Sequence, residues 1–160
     1  MVERLTLSLQ RDGLLTAVIA ADGRHLAWAA SQREPHNINS LALVETTLEF
    51  FRLYTLQVLT RAQPRTSEWG VSGGMADLIE AGELTSLCVG SGLDWPHFDR
   101  RQARANDIDF GPVIFSDQDP GTAAFAILKE VYVRFGIAPE GIPYSEDGRV
   151  AERLFPTALR

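Results

Sequence analysis

Residues 4–30 carry the sequence RLTLSLQRDGLLTAVIAADGRHLAWAA, which predicts three antiparallel strands joined by two tight turns. Apolar and polar residues alternate in the first segment, as they do in a strand with one buried face. Asp12 with Gly13, and again Asp22 with Gly23, supply the positive φ angles that tight hairpin turns require. We therefore expect the chain to begin with a three-stranded meander.

A long apolar helix is predicted after the meander, starting at Asn39 or Ser40 and ending at Pro64. Its apolar stripe recurs at spacings of three and four residues: Leu41, Val44, Leu48, Phe51, Thr55 and Val58. Four further apolar side chains widen this surface: Leu43, Phe50, Leu53 and Leu56. Because one sheet face needs only a single stripe, the helix either lies across a whole sheet or also meets a partner chain. We accordingly expect a homo-oligomer.

Residues 116–137, SDQDPGTAAFAILKEVYVRFGI, predict a second amphipathic helix. Asp117 and Asp119 are residue types that also serve as paired acid/base groups or metal ligands. Pro120 favours a structural role for them, because proline is common at the first helical position and Asp119 then stands where a capping residue belongs. Gly136 is predicted to end the helix in a left-handed conformation. We interpret Asp119 as the helix cap.

Shorter elements are predicted in the rest of the chain. Strands are expected at residues 68–71, 84–89 and 112–116, a strand or helical turn at 75–82, a long polar loop at 93–111, and a final helix at 146–154. Residues 1–160 show no repeat or linker, so we expect a single α+β domain. In this fold a mostly antiparallel sheet, begun by the N-terminal three-stranded meander, is covered by the two main helices.

Charge and composition narrow the class of partner. The chain of 160 residues has a formal net charge of −6, which disfavours nucleic acid and anionic membrane surfaces. Lys129 is the sole lysine, so nearly all the positive charge comes from arginine. This bias favours a GC-rich, bacterial coding sequence. No apolar run is long enough to cross a bilayer, and the N-terminus lacks the pattern of a signal peptide. With a single cysteine, Cys88, in an apolar segment, these features indicate a cytoplasmic protein with no membrane partner.

Residues 70–75, GVSGGM, form a glycine-rich segment. Bare backbone amides can cradle an anion, so Gly73 and Gly74 are candidate cofactor-binding residues. No lysine follows as it does in a phosphate loop, and the glycine spacing differs from the dinucleotide-binding fingerprint. The alternative is a bulged or sharply bent strand where two backbones approach closely. The cofactor itself stays unknown at this stage.

The octet DWPHFDRR at residues 94–101 combines the most varied chemical groups. His97 is a candidate general base or ligand beside Asp94 and Asp99, and Trp95 is a candidate for contact with a small-molecule ligand. No second histidine stands at the spacing of a metal-binding pair, so no metal site is predicted. The alternative is a surface loop anchored by its aromatic side chains.

Residues 119–144, DPGTAAFAILKEVYVRFGIAPEGIPY, resemble a stretch of bacterial AlbA-like proteins described as DNA-binding or ATP-binding. In those proteins a helix that ends in an aromatic residue and FGI is followed by a short IPY turn. The resemblance implies a bacterial accessory protein associated with nucleic acid. It covers only helix and turn residues, so it assigns no functional residue to this chain.

No serine, cysteine or histidine stands in a recognisable pattern of nucleophile and base. We therefore predict a non-catalytic binding or interaction module that self-associates. An enzyme, or a protein that binds a small ligand or metal through residues 94–109, is the alternative hypothesis. A nucleic-acid-associated accessory protein is the third.

Overall fold

The computed structural model describes residues 5–11, 14–19, 26, 37–60, 68–80, 83–89, 99–116 and 119–151. Helices and strands are both present, and antiparallel pairs predominate among the described strands, so the predicted α+β class is confirmed. The strands are β1 (Leu5–Leu9), β2 (Leu15–Ile19), β3 (Asn37–Asn39), β4 (Trp69–Met75), β5 (Ile79–Glu80), β6 (Glu83–Leu84), β7 (Ser86–Val89), β8 (Asp99–Gln102), β9 (Ile108–Phe115), β10 (Ser145–Glu146) and β11 (Arg149–Val150). The helices are α1 (Ser40–Leu53), which continues as a π-helix (Tyr54–Leu59), α2 (Pro120–Arg134) and a short 3-10 helix (Pro139–Gly141).

The first two predicted strands form a hairpin, whereas the predicted turn residues Asp12, Gly13, Asp22 and Gly23 lie outside the described residues. β1 and β2 pair antiparallel, with Leu5 opposite Ile19. The third predicted strand lies outside the described residues apart from Leu26, which is buried. The carbonyl oxygen of Leu26 accepts a hydrogen bond from the Asn39 amide at 2.7 Å. This bond ties the segment that follows the hairpin to the start of α1.

α1 begins at the predicted cap, where Asn39 Oδ1 accepts from the Leu41 amide at 2.9 Å. The sequence predicts one regular helix, but the chain changes to π geometry for its last described turns. There Thr55 Oγ1 donates to the Arg52 carbonyl at 3.1 Å, and both the amide and the Oγ1 of Thr60 donate to the Thr55 carbonyl. These hydroxyls compete with backbone amides for carbonyl oxygens, and they accompany the wider π turns.

β4 and β9 pair antiparallel, with Trp69 opposite Phe115. The register shifts between Val71 and Gly73, so β4 is irregular at the glycine segment. This finding confirms the prediction of a bulged strand there. The strand continues through the glycines to its end at residue 75, beyond the predicted end at residue 71.

The prediction of a polar loop at residues 93–111 is wrong for two segments, which belong to strands β8 and β9. β8 pairs antiparallel with β7, and β9 already starts at Ile108. β7 in turn pairs in parallel with β3, another polar segment for which no strand was predicted, and the strand order is β3-β7-β8. Polar segments can form strands because hydrogen bonds to a neighbouring backbone do not require apolar side chains. β8 lies at the edge of this sheet, where Arg101 and Gln102 are exposed to solvent.

α2 has the predicted start. Asp119 Oδ2 accepts from the amide of Thr122 at 2.8 Å and from its Oγ1 at 2.7 Å, and Pro120 is the first helical residue. Arg149 adds an ion pair to Asp119 Oδ1 at 3.4 Å. Asp119 is therefore a helix cap, whereas Asp117 lies outside the described residues.

α2 also has the predicted end. Gly136 has a φ of +72°, and the amide of the next residue, Ile137, donates to the Tyr132 carbonyl at 3.0 Å, as in a Schellman motif. The side chain of Tyr132 is fully buried, and its hydroxyl donates to the Ser40 carbonyl at 3.4 Å. This bond links α2 to the first residue of α1.

The final helix predicted at residues 146–154 is wrong in its described part. β10 and β11 pair antiparallel around Asp147 and Gly148, whose φ angles are +48° and +74°. A two-residue hairpin turn requires positive φ at both central residues, and Asp-Gly is a preferred pair for it. The turn preference of these two residues therefore accounts for a hairpin where a helix was predicted.

One cluster of buried side chains joins the described elements. α1 and α2 pack against each other, and α2 also contacts β9 and β11. Cys88 is buried, as predicted for a cysteine in an apolar segment. None of the helices in the described segments is long and apolar enough to cross a membrane.

Candidate functional site

A cavity of about 320 Å³ lies between β2, α1 with its π-helix, and β4. Most of its described lining side chains are apolar or aromatic, with a few hydroxyl groups among them. Its volume falls at the lower end of the roughly 300–1,000 Å³ typical of pockets for small molecules. This cavity is the candidate site.

The helical wall presents side chains at spacings of three and four residues: Leu43, Thr47, Phe50 and Tyr54, with Thr46 beside them. This spacing places them on one face of the helix. Thr47 Oγ1 donates to the Leu43 carbonyl at 2.7 Å, so its proton is directed to the helix backbone. Tyr54 is the first residue of the π-helix, and π-helical turns are frequent at functional sites.

Aromatic rings connect the helical wall to β4. The ring centroid of Trp69 lies 5.2 Å from that of Tyr54, with 34° between the planes, and 5.8 Å from that of Phe51. Phe51 meets Phe50 edge to face at 5.4 Å. These separations are favourable for aromatic pairs, so the rings support one another as a continuous wall.

The β4 wall is shaped by its glycines. Gly73 pairs with Phe110, whose ring fills the space of the missing side chain: a Cβ on Gly73 would lie 2.7 Å from Phe110 Cζ. A Cβ on Gly74 would overlap the Ile108 carbonyl oxygen and lie 2.8 Å from Asp109 Oδ1. Both positions therefore need glycine for close packing against β9, and both line the cavity.

The third wall is β2. Leu15, Ala17 and Ile19 alternate along the strand, are half-buried and line the cavity. Val18 points to the opposite face, where its side chain is 62 % exposed. The period-two alternation of the hairpin thus presents one of its faces to the cavity.

No charged side chain lines the cavity within the described part of the chain. Tyr54 is the one titratable side chain among the described lining residues, and burial raises its pKa above the ordinary value. Its hydroxyl is consequently protonated at neutral pH. Such a site can hold an apolar molecule and orient it by hydrogen bonds to hydroxyl groups.

The predicted site residues fall into three groups. Gly73 and Gly74 line the cavity. Three candidates lie outside the described residues: Asp94, Trp95 and His97. Asp99 belongs to β8, where it pairs with Val89 of β7. A site in the loop at residues 94–109 therefore stays a prediction.

The described residues contain no group of three histidine, cysteine, aspartate or glutamate side chains that could hold a metal ion. Asp107 Oδ1 accepts from the Asp77 amide and from Asn106 Nδ2, each at 3.2 Å. Asn106 Oδ1 accepts from the Ile79 amide at 2.9 Å. The Asp107 carboxylate and the Asn106 amide group therefore hold a neighbouring turn in place.

Sequence reasoning did not identify the cavity residues Ala17, Thr46 and Tyr54. One signal pointed towards the wall that contains Thr46 and Tyr54, namely the apolar width of α1. Leu43 and Phe50 widen the apolar face beyond a single stripe, and both line the cavity. The excess apolar surface that suggested a partner chain is thus used in part to build this wall.

Comparison with protein-family models, with curated proteins and with solved structures found no match to this chain. The resemblance of residues 119–144 to AlbA-like proteins stays a sequence-based prediction. The geometry of the cavity is accordingly the basis for a functional proposal.

Proposed function

We propose that this protein is a non-catalytic binding protein that holds a small apolar molecule in the cavity between β2, α1 and β4. The observation that carries the proposal is the cavity of about 320 Å³, walled chiefly by apolar and aromatic side chains. Sites for small molecules are typically concave and mostly apolar, with a few polar groups that set orientation. The Thr46 and Tyr54 hydroxyls suit that orienting role.

Burial of apolar ligand surface supplies the driving force. A ligand that removes roughly 200 Å² of its apolar surface from water gains about 5 kcal/mol at 25 cal/mol per Å². Part of this gain offsets the loss of translational and rotational freedom. Burial of the cavity wall itself adds to the gain.

The chemistry of the lining favours binding over catalysis. A general acid or base needs a pKa near the working pH, and a nucleophile needs an activating neighbour. The raised pKa of Tyr54 moves this hydroxyl further from neutrality. The described walls therefore support retention of a ligand better than its chemical conversion.

Titration with the neutral fluorescent probe N-phenylnaphthylamine tests the proposal. We expect saturable fluorescence enhancement with the unaltered protein. Ala17→Phe places a ring in the cavity and should weaken probe binding at least about tenfold. Val18→Phe adds the same ring to the exposed face of the same strand and should bind like the unaltered protein. Absence of saturable binding, or equal binding by both variants, would overturn the proposal.

Self-association is a second candidate function, favoured by the exposed apolar surface of the hairpin. Leu7 and Leu9, which lie on one face of β1, are each more than half exposed. Exposed apolar surface of this kind marks sites of protein contact. We propose that a second copy of the chain covers these side chains.

A further inference from the structure

The chemical character of the cavity wall restricts the ligand that it can hold. The chain has a net charge of −6, yet the described lining side chains include no acidic or basic group. An ionised ligand group that enters such a site loses its water and gains no oppositely charged partner, which is unfavourable. The walls therefore favour an uncharged ligand.

The aromatic rings in the cavity wall restrict the shape of the ligand. Phe50, Tyr54 and Trp69 line the cavity, and the Tyr54 and Trp69 rings are inclined by only 34° at a centroid distance of 5.2 Å. A further ring placed beside them can adopt the offset or edge-to-face geometries that aromatic pairs prefer. Phe110 contributes another ring on the β4 side.

The glycines of β4 make part of the cavity wall from backbone alone. Between Trp69 and Met75 the strand carries three glycines, at positions 70, 73 and 74, and all three line the cavity. Phe110 and the backbone of β9 occupy the space beside Gly73 and Gly74, so the glycines let β9 pack closely behind this wall. A cavity of roughly 150 Å³ accommodates one benzene ring, so a volume of about 320 Å³ suits roughly two to three rings, because fused rings share atoms.

Resting on the proposed binding function, we propose that the ligand is a neutral aromatic molecule of roughly two to three rings. It lies between the ring-bearing face of α1 and the glycine segment of β4. Ala17 on β2 contacts its edge. The hydroxyl groups of the wall hydrogen-bond to at most a few polar atoms of the ligand.

The charge requirement is tested with two probes that differ by one group. Anilinonaphthalenesulfonate has the ring system of N-phenylnaphthylamine and an added sulfonate. We expect the neutral probe to bind at least about tenfold more tightly. We count only the binding that is lost in Ala17→Phe and kept in Val18→Phe. This comparison confines the measurement to binding in the cavity.

The ring requirement is tested by displacement of the bound neutral probe. Naphthol and its saturated analogue decahydronaphthol share a carbon skeleton and a hydroxyl group. We expect naphthol to displace the probe at about two- to tenfold lower concentration, because aromatic contacts are worth about that factor beyond burial alone.

The outcomes separate the two proposals. If neither probe binds in the cavity, the proposed function itself is overturned. If both probes bind there equally well, binding stands and the neutrality of the ligand is overturned. If the saturated alcohol displaces the probe as well as naphthol does, the aromatic character of the ligand is overturned.

Discussion

Gly73 and Gly74 are adjacent in β4, yet a methyl group would meet different neighbours at each. At Gly74 it would meet the Ile108 carbonyl oxygen, which belongs to the backbone of the paired strand. At Gly73 it would meet the Phe110 ring at 2.7 Å, and a ring can rotate. At Gly111 it would meet nothing within 4 Å. The space available for a side chain thus differs at each of these glycines, although all three lie in one strand pair.

We expect these differences to rank the alanine variants by stability. Gly74→Ala should cost about 1–3 kcal/mol because the backbones must separate. Gly73→Ala should cost less and Gly111→Ala should stay within about 0.5 kcal/mol of the unaltered protein. Urea unfolding followed by circular dichroism measures the order. A Gly111→Ala variant as unstable as Gly74→Ala would contradict the packing described for β4 and β9.

Gly73→Ala has an additional expected effect on ligand binding. The displaced Phe110 ring lines the cavity, so its rotation changes the volume available to a probe. We expect weaker binding of N-phenylnaphthylamine by Gly73→Ala than by Gly111→Ala, in the same titration. Equal affinity of the two variants would mean that Phe110 moves away from the cavity.

Single-residue features with local causes were predictable. Asn39 and Asp119 as caps and Gly136 as the helix end follow from short-range sequence preferences, and all three are confirmed. The bulge at Gly73 was also predicted, since glycine in a strand indicates a bulge or a close approach. Gly73 was also a candidate cofactor-binding residue, but its position in an apolar cavity wall depends on β2 and α1 and could not be predicted.

At the scale of elements, α2 depends on its cap. Asp119→Ala removes the acceptor for the Thr122 amide and hydroxyl, and should lower the free energy of unfolding by about 0.5–2 kcal/mol at neutral pH. Asp119→Asn keeps a good capping residue and should lose much less. Chemical unfolding of both variants measures the difference. Equal losses would show that the charge, and not the cap, is what stabilises the helix.

The same carboxylate should make the stability of α2 depend on pH. Partial burial alone would raise the pKa of Asp119, but hydrogen bonds from Thr122 and Gly121 and the charge of Arg149 outweigh burial and lower it. Because the folded pKa is depressed, the stabilisation is complete above the ordinary value near 3.9 and is lost as pH falls through the folded pKa.

We therefore expect the unaltered protein to lose stability faster than Asp119→Asn as the pH falls from about 5 to about 2. The asparagine variant cannot titrate at this position and supplies the reference curve. Urea midpoints at a series of pH values provide the measurement. Parallel curves for the two proteins would refute a depressed pKa at Asp119.

Elements were predictable where a continuous segment carried its own signal. The β1-β2 hairpin has alternation and a turn, and α2 has a start, a stripe and an end. β3 and β8 are polar and become strands only through pairing with β7, which lies far away in sequence. The β10-β11 hairpin was missed although Asp147 and Gly148 carry the same turn signal as the N-terminal hairpin.

At the scale of the whole molecule, the exposed apolar side chains of the hairpin predict self-association. Replacing both Leu7 and Leu9 by serine should shift the protein towards monomer in sedimentation velocity at high micromolar concentration. Val133→Ser removes an apolar side chain that is 49 % exposed on α2, and should leave the assembly unchanged. A monomeric unaltered protein would refute the interface.

The cavity was unpredictable because no single segment contains it. Its walls come from residues 14–19, 43–54 and 69–74, and their juxtaposition depends on long-range packing around Phe51 and Trp69. The sequence shows apolar excess on α1, but excess alone does not distinguish a cavity wall from a surface for a partner chain. Only the position of β2 relative to α1 makes that distinction.

The origin of the three walls has a kinetic consequence for any molecule held between them. An occupant bridges the N-terminal hairpin and the middle of the chain, so it acts as a non-covalent cross-link between segments distant in sequence. Opening of the hairpin alone removes the wall around Ala17 while α1 and α2 stay packed. Entry and exit of the ligand can thus proceed by local opening of β1 and β2, without unfolding of the helices.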